Sequence, residues 1–279
     1  MEKFCILANK EKDENLLVTQ KVQACLSGYG KQVSVLVDDF SEETGKCISE
    51  IEADCVLVLG GDGTLIRAAN RLLGTGIPIF GINLGTLGFL TETGITGMEQ
   101  ALQQLVSGEY DIETRMMLQV NAGEDFEDTA LNDIVITRSG FSRLISVRVY
   151  VNEKLVDTYR GDGVIVATPT GSTGYNLSAG GPVVLPNASL IVITPICPHS
   201  LNARSIIVSD KDSLRLVIEK EKKTQEEEAI VTVDGRNAKE LRAADWITIE
   251  KSAGVTHLVK LKDRTFFEIL REKFRNGGG

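Results

Sequence analysis

The first third of the chain alternates short apolar runs with a segment of helical periodicity. Apolar runs at residues 4–8 and 32–37 flank a helical pattern at residues 14–26, which is followed by Gly28 and Gly30. Glycines just past a periodic segment are typical of a helix end. The order strand, helix, strand predicts a βαβ unit with parallel strands.

Two further apolar runs, at residues 55–59 and 77–82, are separated by a helical pattern at residues 65–73. Their unbroken hydrophobicity is typical of parallel strands that are covered on both faces. Thr96 and Glu99 have the spacing of a capping box, which predicts a helix that runs to Val106 and ends at Gly108. The sequence therefore predicts an α/β N-terminal domain with a Rossmann-like parallel sheet over residues 1–114. A ligand is expected at the carboxyl ends of its strands.

The pattern changes after Arg115 to short alternating segments, which predict a β-rich C-terminal domain over residues 115–264. These segments are residues 146–151, 164–168, 190–194, 213–219, 229–233 and 246–251. The pairs Asn152-Glu153 and Asp234-Gly235 are hairpin-turn signals. Residues 220–228 form a run of charge and are predicted to be a solvated hairpin tip. Residues 266–274 have a helical pattern, and residues 277–279 are predicted to be a flexible end.

Composition narrows the class of protein. The chain has 279 residues, a net charge of -9 and a pI near 5.0. An acidic chain without a basic stripe is not expected to bind nucleic acid. No apolar run approaches the ~18 residues of a membrane span, and no signal peptide is recognised, so we expect a cytoplasmic protein with no membrane partner. Five scattered cysteines and two histidines predict a reducing compartment and no protein-built metal site.

The most informative motif is Gly60-Gly-Asp-Gly-Thr64, which lies between an apolar run and a helical pattern. We expect Gly60, Gly61 and Gly63 to take positive φ and to let the backbone approach a phosphate, with Thr64 completing the phosphate loop. A carboxylate beside a phosphate is electrostatically unfavourable. Asp62 is therefore predicted to take a proton from an attacking hydroxyl, which indicates phosphoryl transfer. The other interpretation is an ordinary tight turn.

A second glycine-rich segment covers residues 160–182 and contains another Gly-Asp-Gly turn, at Asp162. Within it, residues 170–178 combine small hydroxyls, glycines and Tyr175, a composition that can bind a nucleoside. A glycine-rich connector is the alternative. Because each predicted domain carries one Gly-Asp-Gly turn, we expect both to face one ligand.

Taken together and in order, these motifs resemble the NAD kinase family. The matching pieces are Gly60-Gly-Asp-Gly-Thr-Leu, Asn83-Leu-Gly-Thr-Leu-Gly-Phe-Leu90, Leu131-Asn-Asp133, and residues 162–175, 178–182, 198–201 and 234–235. The first motif is shared with diacylglycerol, sphingosine and phosphofructo-kinases. The complete set is specific, and its spacing matches over about residues 1–270.

The resemblance implies transfer of the γ-phosphoryl group of ATP, or of polyphosphate in some members, to the 2'-hydroxyl of the adenosine ribose of NAD, giving NADP. Asp62 would be the general base, and Mg²⁺ would arrive with the ATP. The resemblance further implies an active site in a cleft between the domains. It also implies that residues 265–279 return to the N-terminal domain, and a homodimer or homotetramer in which a neighbouring subunit completes the site.

Site residues follow from the resemblance by position. Asn132 and Asp133 would hold ribose hydroxyls, with an aspartate where the family has glutamate, and Asp162 would lie near the bound dinucleotide. The loop that holds the adenosine half would contain Thr173, Gly174, Tyr175 and Ser178, with Gly174 in place of a more usual alanine.

The remaining residues implied are those near phosphates or the nicotinamide. Arg67 follows Asp62 by five residues, so its guanidinium could reach back to a phosphate. Phe89 would border the nicotinamide, and Gly63 would contact nucleotide. Arg143 and Arg160 are expected near the 2'-phosphate or pyrophosphate, and Arg236 stands where glutamine is expected.

Two alternatives stay open at this point. A lipid or sugar kinase of the same superfamily would be expected to lack Asn132-Asp133 and the elements of residues 170–178. An NADP(H)-sensing binding module would keep the pocket and lose turnover, against which the intact Asp62 argues.

Overall fold

The structure is a computed structural model, which describes residues 1–38, 51–139, 144–219, 228–262 and 265–276. The chain divides into two compact units. Unit 1 is Met1–Arg115 with Val255–Gly279, and unit 2 is Met116–Gly254. Unit 1 is therefore built from two separate stretches of sequence.

The elements are numbered in chain order. The helices are α1 (Leu17–Gly28), α2 (Asp62–Arg71), α3 (Met98–Ser107), α4 (Tyr175–Ser178) and α5 (Phe266–Asn276). The strands are β1 (Lys3–Asn9), β2 (Gln32–Asp38), β3 (Cys55–Gly60), β4 (Ile79–Asn83), β5 (Thr93–Gly94), β6 (Tyr110–Asn121), β7 (Glu127–Ala130), β8 (Asp133–Arg138), β9 (Ile145–Val151), β10 (Lys154–Gly161), β11 (Gly163–Ala167), β12 (Leu190–Ile196), β13 (Ile206–Ser209), β14 (Leu214–Ile218), β15 (Glu228–Val233), β16 (Arg236–Arg242) and β17 (Trp246–Leu261).

Unit 1 contains a parallel sheet with the strand order β4-β3-β1-β2. Every residue of β3 and β4 is buried, as the continuous apolar runs predicted. Phe4, Leu57 and Phe80 belong to the cluster of buried residues that forms the core of this unit. The parallel sheet predicted for the N-terminal domain is confirmed.

The predicted starts of α1 and α3 are wrong. Residues Glu14–Leu16 form a 3-10 turn, and α1 begins at Leu17 because Asp13 caps it, accepting the Val18 and Thr19 N–H groups at 2.9 and 2.8 Å. The capping box also fails. Gly97 precedes α3, and its start has no side-chain cap hydrogen bond. Gly108, with φ 83°, ends α3 as predicted.

Glu92 links the two stretches of unit 1. Its carboxylate forms a buried ion pair with Lys260 and accepts the Leu261 N–H at 2.8 Å, across 168 residues of sequence in the first case. β17 also pairs in parallel with β4, at Leu258 and Ile79. The C-terminal stretch is thus part of the hydrogen-bonded framework of unit 1.

Unit 2 is an antiparallel β structure. One sheet has the order β13-β12-β11-β8-β15-β16, and β10-β9-β14-β17 are paired side by side as well. Val149, Ile136 and Leu216 belong to one buried cluster that draws on both sets of strands. The two predicted turns are confirmed, since the residues at 152–153 and 234–235 all have positive φ. Of the predicted charged tip, residues 220–227 lie outside the described residues.

None of the helices in the described part of the chain is long and apolar enough to span a membrane.

Candidate active site

Asp62 lies at the start of α2, directly after β3 and the intervening Gly61. The helix begins three residues before the predicted start at Leu65, because Thr64 and Leu65 already donate their N–H groups to the Gly61 carbonyl at 3.0 and 3.1 Å. The positive end of the helix dipole favours negative charge at this point. The Asp62 carboxylate and a bound phosphate would both lie in that field.

The glycines of this turn act differently from the prediction. None of Gly60, Gly61 and Gly63 has positive φ, so that expectation is wrong. A Cβ on Gly60 would lie 2.5 Å from the Thr64 Oγ1, which explains why no side chain fits there. A Cβ on Gly61 or Gly63 would meet no protein atom within 4 Å. Open space therefore borders the backbone at these two positions.

Both carboxylate oxygens of Asp62 are held by one loop. The Phe89 N–H donates to Oδ2 at 2.7 Å, and the Leu90 N–H donates to Oδ1 at 3.2 Å. A Cβ on Gly88 would lie only 2.0 Å from Oδ1. The motif at residues 83–90 thus fixes the orientation of the carboxylate, and it needs glycine at 88 to do so.

Asn83 and Thr91 hold this loop in shape. The Asn83 amide donates to the Thr86 carbonyl at 3.0 Å and to Thr91 Oγ1 at 3.1 Å, and its oxygen accepts the Gly85 N–H at 2.7 Å. Thr91 Oγ1 also accepts the Gly88 N–H at 3.2 Å. Both side chains are buried. Asn83 belongs to the motif at residues 83–90, but the sequence analysis gave neither Asn83 nor Thr91 a role.

Other predicted residues of unit 1 flank Asp62. Arg67 and Gly63 lie on the exposed face of α2. The Phe89 ring packs against Phe266 of α5 with centroids 6.1 Å apart. Phe89 therefore serves Asp62 through its backbone, while its side chain contacts the C-terminal helix.

A second cluster of polar residues lies at one end of the central strands of unit 2. Asp133 begins β8 and is opposite Ala167, the last residue of β11. Val233, the last residue of β15, pairs with Ile134, so Asp234 follows at the same end. The structure thus brings together Asn132-Asp133, the loop after β11 and the turn at Asp234.

Asp234 organises the backbone of this cluster. Its Oδ2 accepts the Leu131 N–H at 2.8 Å, and its Oδ1 accepts the Asn132 and Asp133 N–H groups at 2.7 and 3.2 Å. Thr168 adds a bond from its Oγ1 to the Leu131 carbonyl at 2.6 Å. The sequence analysis placed Asp234 in a hairpin turn and in a family motif, but gave its carboxylate no role. Its role as an acceptor for residues about a hundred positions away leaves no local signal.

Asp133 is buried, and burial together with the nearby Asp234 carboxylate raises its pKa from 3.8 to about 7. The folded protein therefore holds a proton there that the unfolded chain releases between these two values. The free energy of unfolding is expected to fall as the pH rises through this window.

The test is Asp133→Asn, which carries no titrating group. At pH 8 the variant should be more stable than the wild type by about 2–4 kcal/mol, and near pH 4 the two should be equal. Urea unfolding across this pH range measures the difference. A difference that does not change with pH would contradict the assignment.

The loop after β11 is fixed by two buried side chains that the sequence interpretation did not select. The Asn176 amide donates to the Ser172 and Pro182 carbonyls, both at 3.0 Å, and accepts from Thr194 Oγ1 at 2.7 Å. Ser172 Oγ accepts the Val184 N–H at 3.0 Å. The predicted residues Tyr175 and Ser178 are exposed, and Thr173 is half-buried. Buried scaffolding thus presents the predicted residues at the surface of this loop.

Gly174 lies against the Asn132-Asp133 pair. A Cβ there would be 3.3 Å from the Gly171 carbonyl oxygen and 3.4 Å from Asn132 Nδ2. The Asn132 Oδ1 is buried and has no hydrogen-bond partner among the described residues. An acceptor of this kind is suited to a ligand hydroxyl.

Gly174→Ala is expected to be tolerated, because small shifts relieve both contacts. We expect a change in unfolding free energy within about 1 kcal/mol. Gly171→Ala is the matched control. Its Cβ would lie 2.1 Å from the backbone oxygen of Asn132, and it should cost about 1–3 kcal/mol or more. Thermal unfolding of both variants is the measurement, and equal losses would refute the distinction.

Asp162 does not join this cluster within one chain. It precedes Gly163 at the other end of β11. The rise per residue of an extended strand places it about 16 Å from Ala167. There it accepts a hydrogen bond from the Arg138 Nε at 2.8 Å. Arg160 lies at this same end, where its carbonyl accepts the His199 N–H at 2.8 Å.

The last two predicted arginines are Arg143 and Arg236. Arg143 lies outside the described residues. Arg236 is half-buried and donates to Asp128 Oδ1 at 3.1 Å and to the Val233 carbonyl at 3.3 Å. Its guanidinium thus ties the start of β16 to β7. Among the described ranges, no group of three or more His, Cys, Asp or Glu side chains could hold a metal ion.

The arrangement in unit 1 defines a class. A helix N-terminus at the carboxyl edge of a parallel sheet, with an oriented carboxylate and open backbone beside it, is expected of an enzyme that handles phosphate groups. Comparison with known proteins makes the class specific. Residues 4–110 match the family model described as the ATP-NAD kinase N-terminal domain. Residues 131–261 match the one described as the ATP-NAD kinase C-terminal domain. The chain belongs to the NAD kinase family.

Curated relatives match over nearly the full length. The NAD kinase of Lachnoclostridium phytofermentans is 52% identical, over 98% of this chain and 99% of its own. The NAD kinase of Caldanaerobacter subterraneus subsp. tengcongensis is 44% identical with the same coverage.

Solved structures agree on the fold. The crystal structure of an NAD kinase from Archaeoglobus fulgidus in complex with ATP has a TM-score of 0.78 and 31% identity, over 99% of both chains. The structure of yeast NADH kinase complexed with NADH has a TM-score of 0.84 at 22% identity, over 100% of this chain and 89% of that one. The predicted two-domain fold class is confirmed.

Proposed function

We propose that this chain is an NAD kinase that transfers the γ-phosphoryl group of ATP to the 2'-hydroxyl of the adenosine ribose of NAD, giving NADP. Full-length similarity to curated NAD kinases supports the reaction. The observation that carries the chemistry is the Asp62 carboxylate, fixed at both oxygens by the Phe89 and Leu90 N–H groups.

Asp62 is the general base of this proposal. The two backbone hydrogen bonds use one acceptor direction of each oxygen and leave lone pairs for a further donor. The 2'-hydroxyl donates to the carboxylate, which orients it toward the incoming phosphorus. As the new P–O bond forms, the carboxylate takes the hydroxyl proton, the bond between the γ-phosphorus and the β,γ-bridging oxygen breaks, and ADP leaves with that electron pair. The donor enters as Mg-ATP, and the N–H groups at the start of α2, with Gly60, Gly61, Gly63 and Thr64, receive its phosphates.

The cluster of unit 2 binds the nucleoside in this proposal. Asn132 offers a partnerless acceptor, and Asp133 a carboxyl group beside it. Two such groups suit the vicinal hydroxyls of a ribose. Thr173, Gly174, Tyr175 and Ser178 surround the adenosine. Arg67 contacts phosphate, and Phe89 borders the nicotinamide.

We further propose a homodimer or homotetramer. The distance between Asp162 and the Asn132-Asp133 pair along β11 supports a role for Asp162, with Arg160, in the site of a neighbouring copy. Arg143 and Arg236 are assigned to phosphate or nucleotide contacts on family resemblance alone. A cytoplasmic location is consistent with Cys5, Cys25, Cys55 and Cys197, which are all free thiols.

The test is NADP formation by the purified protein from NAD and Mg-ATP, read with an NADP-specific dehydrogenase. Robust, ATP-dependent formation of NADP supports the proposal. Tight NADP(H) binding without turnover would overturn it in favour of a sensing module. Phosphorylation of a lipid or sugar in place of NAD would assign the chain to another kinase class.

A further inference from the structure

We propose that Lys12 binds the phosphoryl donor, with its ammonium group in contact with the phosphates of ATP at the turn formed by residues 60–64. This inference rests on the proposed function and adds a residue that the sequence motifs do not include.

The loop after β1 places Lys12 beside that turn. β1 and β3 are parallel neighbours with Ala8 opposite Leu59, so the loop and the glycine turn leave the same edge of the sheet. The Lys12 backbone is fixed, because its N–H and that of Asp13 donate to the Asn9 carbonyl at 3.1 and 3.0 Å. Asp13 in turn caps α1 with both carboxylate oxygens. The position of Lys12 is therefore built into the fold.

The Lys12 side chain reaches the phosphate turn itself. Its Nζ donates to Thr64 Oγ1 at 3.0 Å. Thr64 is buried and its own position is set by the close approach of Gly60. The ammonium is thus held at the first turn of α2, on the element that carries Asp62.

The described residues offer Lys12 no neutralising partner. No carboxylate in the described ranges forms an ion pair with it, and a neutral hydroxyl is its hydrogen-bond partner. An ammonium has three N–H donors, so two are available to an anion. Lys12 is an exposed residue. Two half-buried lysines of unit 1 differ from it, since Lys31 is paired with Glu2 and Lys260 with Glu92.

The charge of the protein explains why a cation is needed at this turn to bind a phosphate group. The chain carries a net charge of -9, and Asp62 adds a negative charge at the site. A triphosphate approaching such a surface needs a local positive charge, and a lysine is suited to phosphate as a compact point charge. Lys12 supplies that charge on the side of the turn that the β1 loop occupies.

The experiment compares wild type with Lys12→Met, which keeps an unbranched side chain one atom shorter and removes its charge. We expect kcat/KM for Mg-ATP to fall about 10- to 100-fold, the loss of one charge-assisted hydrogen bond. The KM for NAD should stay within about twofold, because the acceptor does not touch Lys12. Lys12→Arg should restore part of the loss. The control is Lys21→Met, an exposed lysine on α1, which should behave as the wild type.

Calorimetry with ATP and with inorganic tripolyphosphate separates this inference from the proposed function. If the wild type forms NADP and Lys12→Met does so equally well, the inference fails and the function stands. If the wild type forms no NADP, weaker binding of ATP and tripolyphosphate by Lys12→Met still supports the inference. Equal binding by both proteins, or binding by neither, overturns it. Equal thermal unfolding of the variants excludes a merely structural effect of Lys12.

Discussion

Replacing Asp62 with asparagine is expected to lower kcat for NADP formation by a factor of about 10² to 10⁴, the range associated with losing a general base. The amide cannot accept the proton of the 2'-hydroxyl. Its oxygen can still accept one of the two N–H groups of the 89–90 loop, so the fold around the turn is largely kept. The amide nitrogen faces the other N–H, and a modest loss of stability accompanies the change.

Two measurements make this result specific. The Kd for NAD, measured by calorimetry, should change little, because the proposed function assigns most contacts to the acceptor to residues of unit 2. Asp111→Asn removes an exposed carboxylate of the same unit and should leave kcat unchanged. Wild-type turnover in Asp62→Asn would exclude Asp62 as the base, and equal losses in both variants would point to net charge instead.

The second large effect is expected from Gly88→Ala, a change that adds one methyl group beside the Asp62 carboxylate. The new Cβ would lie 2.0 Å from Asp62 Oδ1, closer than atoms can approach, so the carboxylate must move. Misplacement of a reacting group by about 1 Å costs roughly 10²-fold in rate. We expect a loss of this size in kcat, with a folded protein and a near-normal Kd for NAD.

Gly85→Ala in the same loop is the matched control. Its Cβ would lie 3.8 Å from Asn83 Oδ1, an ordinary contact, and activity should remain close to that of the wild type. If Gly88→Ala is as active as Gly85→Ala, the fixed orientation of Asp62 is not needed for turnover. If both variants lose activity, the loop as a whole, rather than the Gly88 contact, controls the reaction.

The strands of unit 1 could be predicted from sequence because a parallel sheet buries every residue of β3 and β4, and this leaves a continuous apolar run. The start of α2 was missed by three residues, since Asp62, Gly63 and Thr64 have low helix propensity and form its first turn only through bonds to Gly61. The Thr96 capping box failed because the chain enters α3 through a 3-10 turn that ends at Gly97.

Some residues of the candidate site could be selected from the sequence, and others could be assigned a role only from the structure. Asp62 could be selected because its motif is local and chemically unusual. Asn83 and Thr91 could not be given a role, since their partners become apparent only when the loop closes. Asp234 is the clearest omission. It is recognisable as a turn residue, but the three N–H groups that it accepts belong to residues 131–133. Such long-range pairing leaves no periodic pattern in the sequence.

Because unit 1 is built from two separate stretches of sequence, the ribosome finishes its synthesis late. Unit 2 is one continuous stretch, Met116–Gly254, so all of its residues are synthesised before the second stretch of unit 1, Val255–Gly279. The ribosome adds Lys260 168 residues after Glu92, which takes about ten to thirty seconds at typical elongation rates. Until then the Glu92 carboxylate lacks the Lys260 ammonium group with which it pairs. The chain therefore completes unit 1 last, although unit 1 also begins the sequence.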